Sequence, residues 1–226
     1  MKSLPAQIRN TLRWLAWLTA LLAATGVSAQ HAGHTAHRFQ DAQHWSKIFD
    51  DPARDAWQKP HEVITALKLN TDAAVADVGA GTGYFAVRFA HMLPKGRVYG
   101  VDLEADMVRY LGERAKKEGL TNLTAVQSRP EDAQIPSPVD LVILVDVYHH
   151  IGARNQYFGR LLESLKTNGR VAIIDFRMDG TVGPAKSMRI APEQVKTEMS
   201  SAGYVLAEEH SFLPQQYFLI FKRAAR

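Results

Sequence analysis

From about residue 41 onward, short apolar runs alternate with longer amphipathic stretches. Val75–Val78, Arg97–Val101, Leu123–Val126, Val139–Val145 and Arg170–Ile174 are brief and rich in Val and Ile, as strands buried on both faces are. Between them the apolar positions fall at helical spacing. Tyr84–Met92 puts Phe85, Phe89 and Met92 on one face, and Glu104–Glu118 does the same with Met107, Val108, Leu111 and Ala115 before Gly119 stops it. Asn155–Lys166 repeats Phe158, Leu161, Leu162 and Leu165 and is halted by Asn168-Gly169. Pro192–Ala202 begins on a proline suited to a first helical turn and ends at Gly203. Strands alternating with helices predict an α/β fold, a parallel sheet with helices on both faces. Val205–Phe212 and Gln216–Lys222, joined by a short turn containing Pro214, predict a terminal hairpin, so one strand must run antiparallel.

The first 29 residues break this pattern. Lys2, Arg9 and Arg13 precede an apolar run from Trp14 to Ala24, and Val27-Ser28-Ala29 places small residues before Gln30. This is the order of a secretory signal peptide, and the run is short for a membrane span of ~20 residues. The expected organisation is a signal peptide over 1–29, a flexible histidine-containing tail over 30–40 and one domain over 41–226. The expected location is periplasmic or secreted. An uncleaved, membrane-anchored form is the alternative, with contact to a membrane through this segment only. His31, His34 and His37 stand three apart and would share a helical face, but Gly33 and the lack of an apolar stripe favour a solvated tail, and no metal site is assigned.

The 226 residues hold one domain of ordinary size, and 46% apolar with 22% charged residues is a globular balance. The absence of Cys excludes thiolate-ligated metals, disulfides and a thiol nucleophile. The net charge of +4 resides mostly in the leader: without its three cations, 24 basic residues face 23 acidic ones. A body so nearly neutral carries no footprint for nucleic acid.

The chemistry concentrates in Val75-Ala-Asp-Val-Gly-Ala-Gly-Thr-Gly-Tyr84, a strand, a loop with Gly79, Gly81 and Gly83, and a helix. Such a loop lets a ligand approach the backbone at the carboxyl ends of the strands. Asp102 closes the next strand, 19 residues beyond Gly83, where a carboxylate can hold a ribose diol. The loop also fits a dinucleotide fingerprint, which keeps an NAD-type oxidoreductase as an alternative. Against it, Asp77 sets an acid at the loop's mouth that repels a pyrophosphate and suits an ammonium. The body also lacks room for a separate substrate domain.

These residues resemble the class I S-adenosylmethionine-dependent methyltransferases, of the small-molecule type similar to the ubiquinone/menaquinone-biosynthesis enzymes. Val75–Gly83 resembles the family's first motif, and Asp102 its second-strand acid. Val139–His150 resembles its fourth-strand motif, and Leu162–Val171 the approach to its fifth strand, so the likeness spans roughly 41–224. It implies a Rossmann-like seven-stranded sheet in the order 3-2-1-4-5-7-6 with strand 7 antiparallel, and S-adenosyl-L-methionine as cofactor. It further implies that Gly79, Gly81 and Gly83 pass beneath the methionyl part, Asp77 meets the amino group and Asp102 holds the ribose, with Leu103 or Met107 against the adenine. The family's Gly-Asp after the third strand is replaced by Ser128-Arg-Pro-Glu-Asp132, so Glu131 or Asp132 is the displaced candidate for the adenine amine.

Asp146, Tyr148 and His149 follow the fourth strand, where the methyl would be presented. His149 is the expected general base, with Asp146 and Tyr148 as further catalytic candidates. Strand alternation would put Asp146 and Tyr148 on one side and Val147 and His149 on the other. Asp175 and Arg177 are secondary pocket residues. Phe49–Pro60 reads as a lid bearing Arg54, Trp57 and Gln58, or as a helix packing Trp45, Phe49 and Trp57 on the sheet. Lys186 and Arg189 would favour an anionic acceptor unless they are solvated loop charges. The leading expectation is transfer of a methyl group to a small-molecule acceptor. Arsenite is disfavoured by the lack of Cys. An exported chain leaves the compartment where S-adenosylmethionine is made, which keeps a non-catalytic exported binding protein on the same fold in view.

Overall fold

The computed structural model describes residues 41–225, so the expected leader and the histidine tail lie outside the described residues. The chain opens with α1 (Ala42–Phe49), a 3-10 turn at Pro52–Arg54, α2 (Asp55–Gln58) and α3 (Pro60–Ala66). There follow β1 (Ala74–Val78), α4 (Ala86–Met92), β2 (Arg97–Asp102), α5 (Ala105–Lys117), β3 (Leu123–Gln127) and β4 (Val139–Val145). A 3-10 turn at Tyr148–His150 leads to α6 (Arg154–Leu161), then β5 (Leu165–Phe176), α7 (Pro192–Ser201), β6 (Tyr204–His210) and β7 (Gln216–Arg223).

The strands form one sheet in the order β3-β2-β1-β4-β5-β7-β6. β1 to β5 are mutually parallel, and β7 runs antiparallel to both β5 and β6. Alternation along each strand divides the apolar side chains between two layers. Val75, Val98, Leu141, Ile143, Ala172 and Phe218 face α3, α4 and α5. Ala76, Val101, Val142, Leu144, Ile173 and Leu219 face α6 and α7. The doubly covered α/β architecture and strand order expected from the sequence are those observed.

Leu111 of α5 locks one layer. A Cβ on Gly83 would lie 2.4 Å from its Cδ1 and one on Gly100 2.3 Å from its Cδ2, so the missing side chains of a loop and a strand make its seat. One boundary differs from expectation. The helix expected over Asn155–Lys166 stops at Leu161, and β5 begins at Leu165 rather than Arg170. Leu165 is buried opposite Val139, and the register shifts before Leu141 pairs with Arg170, so Asn168-Gly169 belongs to an irregular strand and does not end a helix.

Candidate active site

The loop after β1 takes its shape from backbone that only glycine adopts freely: Gly79, Gly81 and Gly83 have φ of +74°, +54° and +98°. The Gly79 and Ala80 amides donate to the Val101 carbonyl at 2.8 and 3.0 Å, which draws the loop toward the end of β2. There the Asp102 carboxylate accepts the Gly81 amide at 2.7 Å and the Glu104 amide at 2.9 Å. Burial raises the Asp102 pKa, and these amides oppose the rise. Leu103 beside it is 45% exposed while Met107 is 1% exposed, so Leu103 is the apolar face open to a ring.

Asp77, on β1 below the loop, is 3% exposed. Its pKa is pushed up to about 7, foremost by burial, with the Asp102 charge adding and the Ala86 amide and Arg54 opposing. A carboxylate enclosed at such electrostatic cost is stabilised by an arriving cation.

The segment from α1 to α3 crosses the carboxyl ends of these strands. A Cβ on Gly81 would stand 3.3 Å from the Phe49 ring. The Trp57 ring centroid lies 6.1 Å from that of Phe176 at the end of β5. Arg54 donates to Asp146 at 3.1 Å, to the Phe49 carbonyl at 3.1 Å and to Gln58 Oε1 from Nε at 3.2 Å, and its guanidinium lies 4.2 Å from the Tyr84 ring centroid. Gln58 is fully buried and donates to Gln216 at 2.6 Å, and Gln216 in turn donates to Asp146. The packing reading is the one the structure describes: the segment stacks Trp45 on Phe49, sets Trp57 against Phe176 and ties Arg54 and Gln58 to Asp146 and Gln216. Gln216 carried no signal in the sequence beyond being a polar residue at the start of an apolar strand.

Beyond β4 the alternation expected for Asp146 to His149 is absent. β4 ends at Val145, and Asp146 has a left-handed backbone with φ +60°. Val147 therefore leans on the glycine loop, 2.3 Å from where a Gly79 Cβ would be. His149 turns back over β5. Its Nδ1 lies 2.9 Å from each oxygen of Asp175, and its backbone amide donates to the same carboxylate at 3.1 Å. The two side chains are 3% and 1% exposed. Asp146 has its pKa pushed up to about 7 by burial, against the Arg54 and His149 charges and with the Asp175 charge adding to the rise.

Other candidates are placed elsewhere. Tyr148 is fully buried against Phe158 and donates to Glu198 at 2.6 Å, which Arg154 also holds at 2.6 Å, so its hydroxyl is used within the α6–α7 layer. Asp132 accepts from the Gln134 amide at 2.8 Å and from its side chain at 2.6 Å, closing its own turn. The Glu131 side chain is exposed. Arg189 donates to the carbonyls of Arg177, Gly180, Val182 and Pro184, and Arg177 pairs with Asp179 at 2.9 Å. Of the loop cations, then, Arg189 is a staple rather than an anion receptor.

The residues present fit an adenosyl sulfonium. Asp77 awaits a cation, and Asp102 and Leu103 offer a ribose acceptor beside an apolar face. Comparisons with known proteins agree. The family described as "Methyltransferase domain" matches residues 69–219. Trans-aconitate 2-methyltransferase of Rhodopseudomonas palustris is 26% identical over 133 residues, 59% of this chain and 48% of that protein. The malonyl-[acyl-carrier protein] O-methyltransferase of Acetivibrio thermocellus is 24% identical over 133 residues, 58% of this chain and 46% of that protein. The chain thus spans about half the length of the curated relatives it matches. A SAM-dependent methyltransferase from Aquifex aeolicus superposes with a TM-score of 0.74 at 25% identity, covering 80% of this chain and 97% of that one. The chain belongs to this family of methyltransferase domains, and S-adenosyl-L-methionine is the cofactor its cleft takes.

Proposed function

We propose that the protein transfers the methyl group of S-adenosylmethionine to a small-molecule acceptor held beyond the carboxyl end of β4. The observation that carries this reading is the adjacency of two half-sites. The glycine loop, with Asp77 and Asp102, touches Val147, and two residues later His149 stands on Asp175. When bound, the cofactor supplies an electrophilic methyl on a positively charged sulfur. Asp77 holds the amino group, Asp102 accepts the ribose hydroxyls, and the segment from Phe49 to Gln58 excludes water from the reacting centre. With Nδ1 on Asp175, His149 presents Nε2 to take a proton from the acceptor.

Calorimetry on the full chain with S-adenosylmethionine, S-adenosylhomocysteine and NAD tests the reading, paired with a methyl-transfer assay over a panel of small acceptors. The adenosyl ligands bind and NAD does not. Asp102→Ala weakens cofactor binding by about 10- to 100-fold, the worth of lost hydrogen bonds to a charged group. His149→Ala keeps cofactor affinity and slows transfer. Binding of NAD alone would favour an oxidoreductase, and adenosyl binding without transfer to any acceptor a non-catalytic binding protein.

The arrangement of residues 1–29 supports export, with periplasmic or secreted location, or a membrane anchor if the leader is uncleaved. Among the described residues no helix is long and apolar enough to cross a membrane. Residues 1–40 fused to a reporter active only outside the cytoplasm direct its activity there under this proposal, and an inactive fusion would refute export.

A further inference from the structure

We propose that residues 42–58 form a strap over the donor cleft, latched shut by a closed ring of hydrogen bonds among Arg54, Gln58, Gln216 and Asp146, and that the adenosyl ligand enters and leaves only when this ring opens. The inference rests on the methyltransferase reading, which supplies the ligand, and adds how its passage is controlled.

The ring runs in one direction. Arg54 donates from Nε to Gln58 Oε1 at 3.2 Å, and the Gln58 amide donates to Gln216 Oε1 at 2.6 Å. The Gln216 amide donates to Oδ1 of Asp146, whose Oδ2 accepts Arg54 at 3.1 Å and closes the circle. A guanidinium only donates and an ionised carboxylate only accepts. The two ends therefore fix both glutamine amides in the single orientation that satisfies all four side chains. Gln58 and Gln216 are buried, so a partner lost there is not replaced by bulk water. The ring joins the strap to the end of β4 and the start of β7, and removing one member leaves its neighbours unpaired, which makes it open as a unit.

The strap has little other hold. From residue 42 to residue 58 only Ala42 and Gln58 are buried. The next element, α3, is fixed in the core by Val63, Ile64 and Leu67 behind it. Lys59 stands between strap and α3 with a left-handed backbone, φ +45°, so the helical path breaks where the held part begins. The remaining polar ties run along the rim. Asp50 pairs with Arg114 at 3.1 Å, Asp55 with Arg88 at 3.1 Å and with the Tyr84 hydroxyl, and the Ala42 amide donates to Asp106 at 2.6 Å. Pairs within reach of solvent hold weakly.

What the strap covers is the glycine loop. Gly79 faces Val147 and Gly83 faces Leu111, side chains of the sheet and its helices. Gly81 instead faces the Phe49 ring, 3.3 Å from where its Cβ would stand. Arg54 also donates to the Phe49 carbonyl at 3.1 Å, so the latch and this cover move together. A segment with few buried apolar contacts opens locally at far less cost than the whole fold. Openings of this kind govern ligand passage in many enzymes.

The test follows S-adenosylhomocysteine binding to the full chain by stopped-flow tryptophan emission, since Trp45 and Trp57 both lie in the strap. The observed rate levels off as ligand rises, and its ceiling is the opening rate of the latch. Gln216→Met keeps the side-chain length without the amide and raises the ceiling about tenfold or more. The sequence has no Cys, so Asp55→Cys with Arg88→Cys, bridged by a short bis-methanethiosulfonate, gives one defined cross-link that ties the strap down. Entry then slows about tenfold or more and recovers on reduction. A rate that climbs linearly with ligand throughout, a ceiling unmoved by Gln216→Met, or a cross-linked chain that binds as fast as its reduced form would each overturn the inference. A chain that binds no S-adenosylhomocysteine would instead overturn the methyltransferase reading beneath it.

Discussion

Asp77 is the residue at which burial and ligand charge are most directly opposed. Its pKa of about 7 lies above the ~3.9 of an unfolded aspartate. The raised group favours the folded chain at low pH, and that contribution is lost as pH climbs from about 4 toward 7. Cofactor binding reverses the preference, because an ammonium group wants the ionised acid. Affinity for S-adenosylmethionine should therefore fall by up to about tenfold for each pH unit below 7, and fall again above ~8 as the free cofactor's own amino group loses its proton. Asp77→Asn should bind more weakly at neutral pH and lose this slope. Calorimetry across pH checks it, and parallel profiles for the two proteins would refute the assignment. The strand, the glycine turn and the place of Asp102 at the end of β2 were legible in the sequence because their geometry is local. The side chains after β4 were not. Alternation assumed a strand that continues, whereas the left-handed backbone at Asp146 reorients everything to His149. Tyr148 finds its partner 50 residues away on α7.

The segment from α1 to α3 shows the same limit for whole elements. Its aromatic and charged residues announced a covering role, but its anchors are remote: Arg54 reaches 92 residues to Asp146, and Gln58 reaches 158 to Gln216. Gln58 is the firmer of the two anchors because it is fully buried. Gln58→Ala strands the Gln216 carbonyl oxygen without its donor, a cost of about 1–3 kcal/mol. The loss should be felt mainly as local opening. Hydrogen exchange at the amides of 50–59 should quicken while that of β1 and β4 stays slow. Equal acceleration throughout the sheet would mean that the segment is part of the global core and not a separable cover.

At the scale of the whole molecule, the alternation of runs and the terminal hairpin made a parallel α/β sheet with one antiparallel strand readable, while the strand order and the place of the antiparallel strand came from the resemblance to a known family. The early start of β5 was not, since Leu165 suits a helix face and a strand equally and only its pairing with Val139 decides. Leu111 ties the layers to the site: one side chain fills the space left by Gly83 of the cofactor loop and Gly100 of β2. Leu111→Ala should cost about 2–5 kcal/mol in denaturant unfolding, the range for a buried leucine whose cavity cannot collapse, and weaken cofactor binding with it. A loss below 1 kcal/mol would show that the helix is held elsewhere. The contact between Val147 and Gly79 has the longest reach. Under the proposed function Val147 is a shared wall, since it packs on the glycine loop two residues before His149 meets Asp175, so filling the donor side presses on the acceptor side. Thermodynamic reciprocity then requires that whatever factor the donor adds to the acceptor's grip, the acceptor returns to the donor's. Trimming that wall with Val147→Ala should uncouple the two occupancies before it harms either.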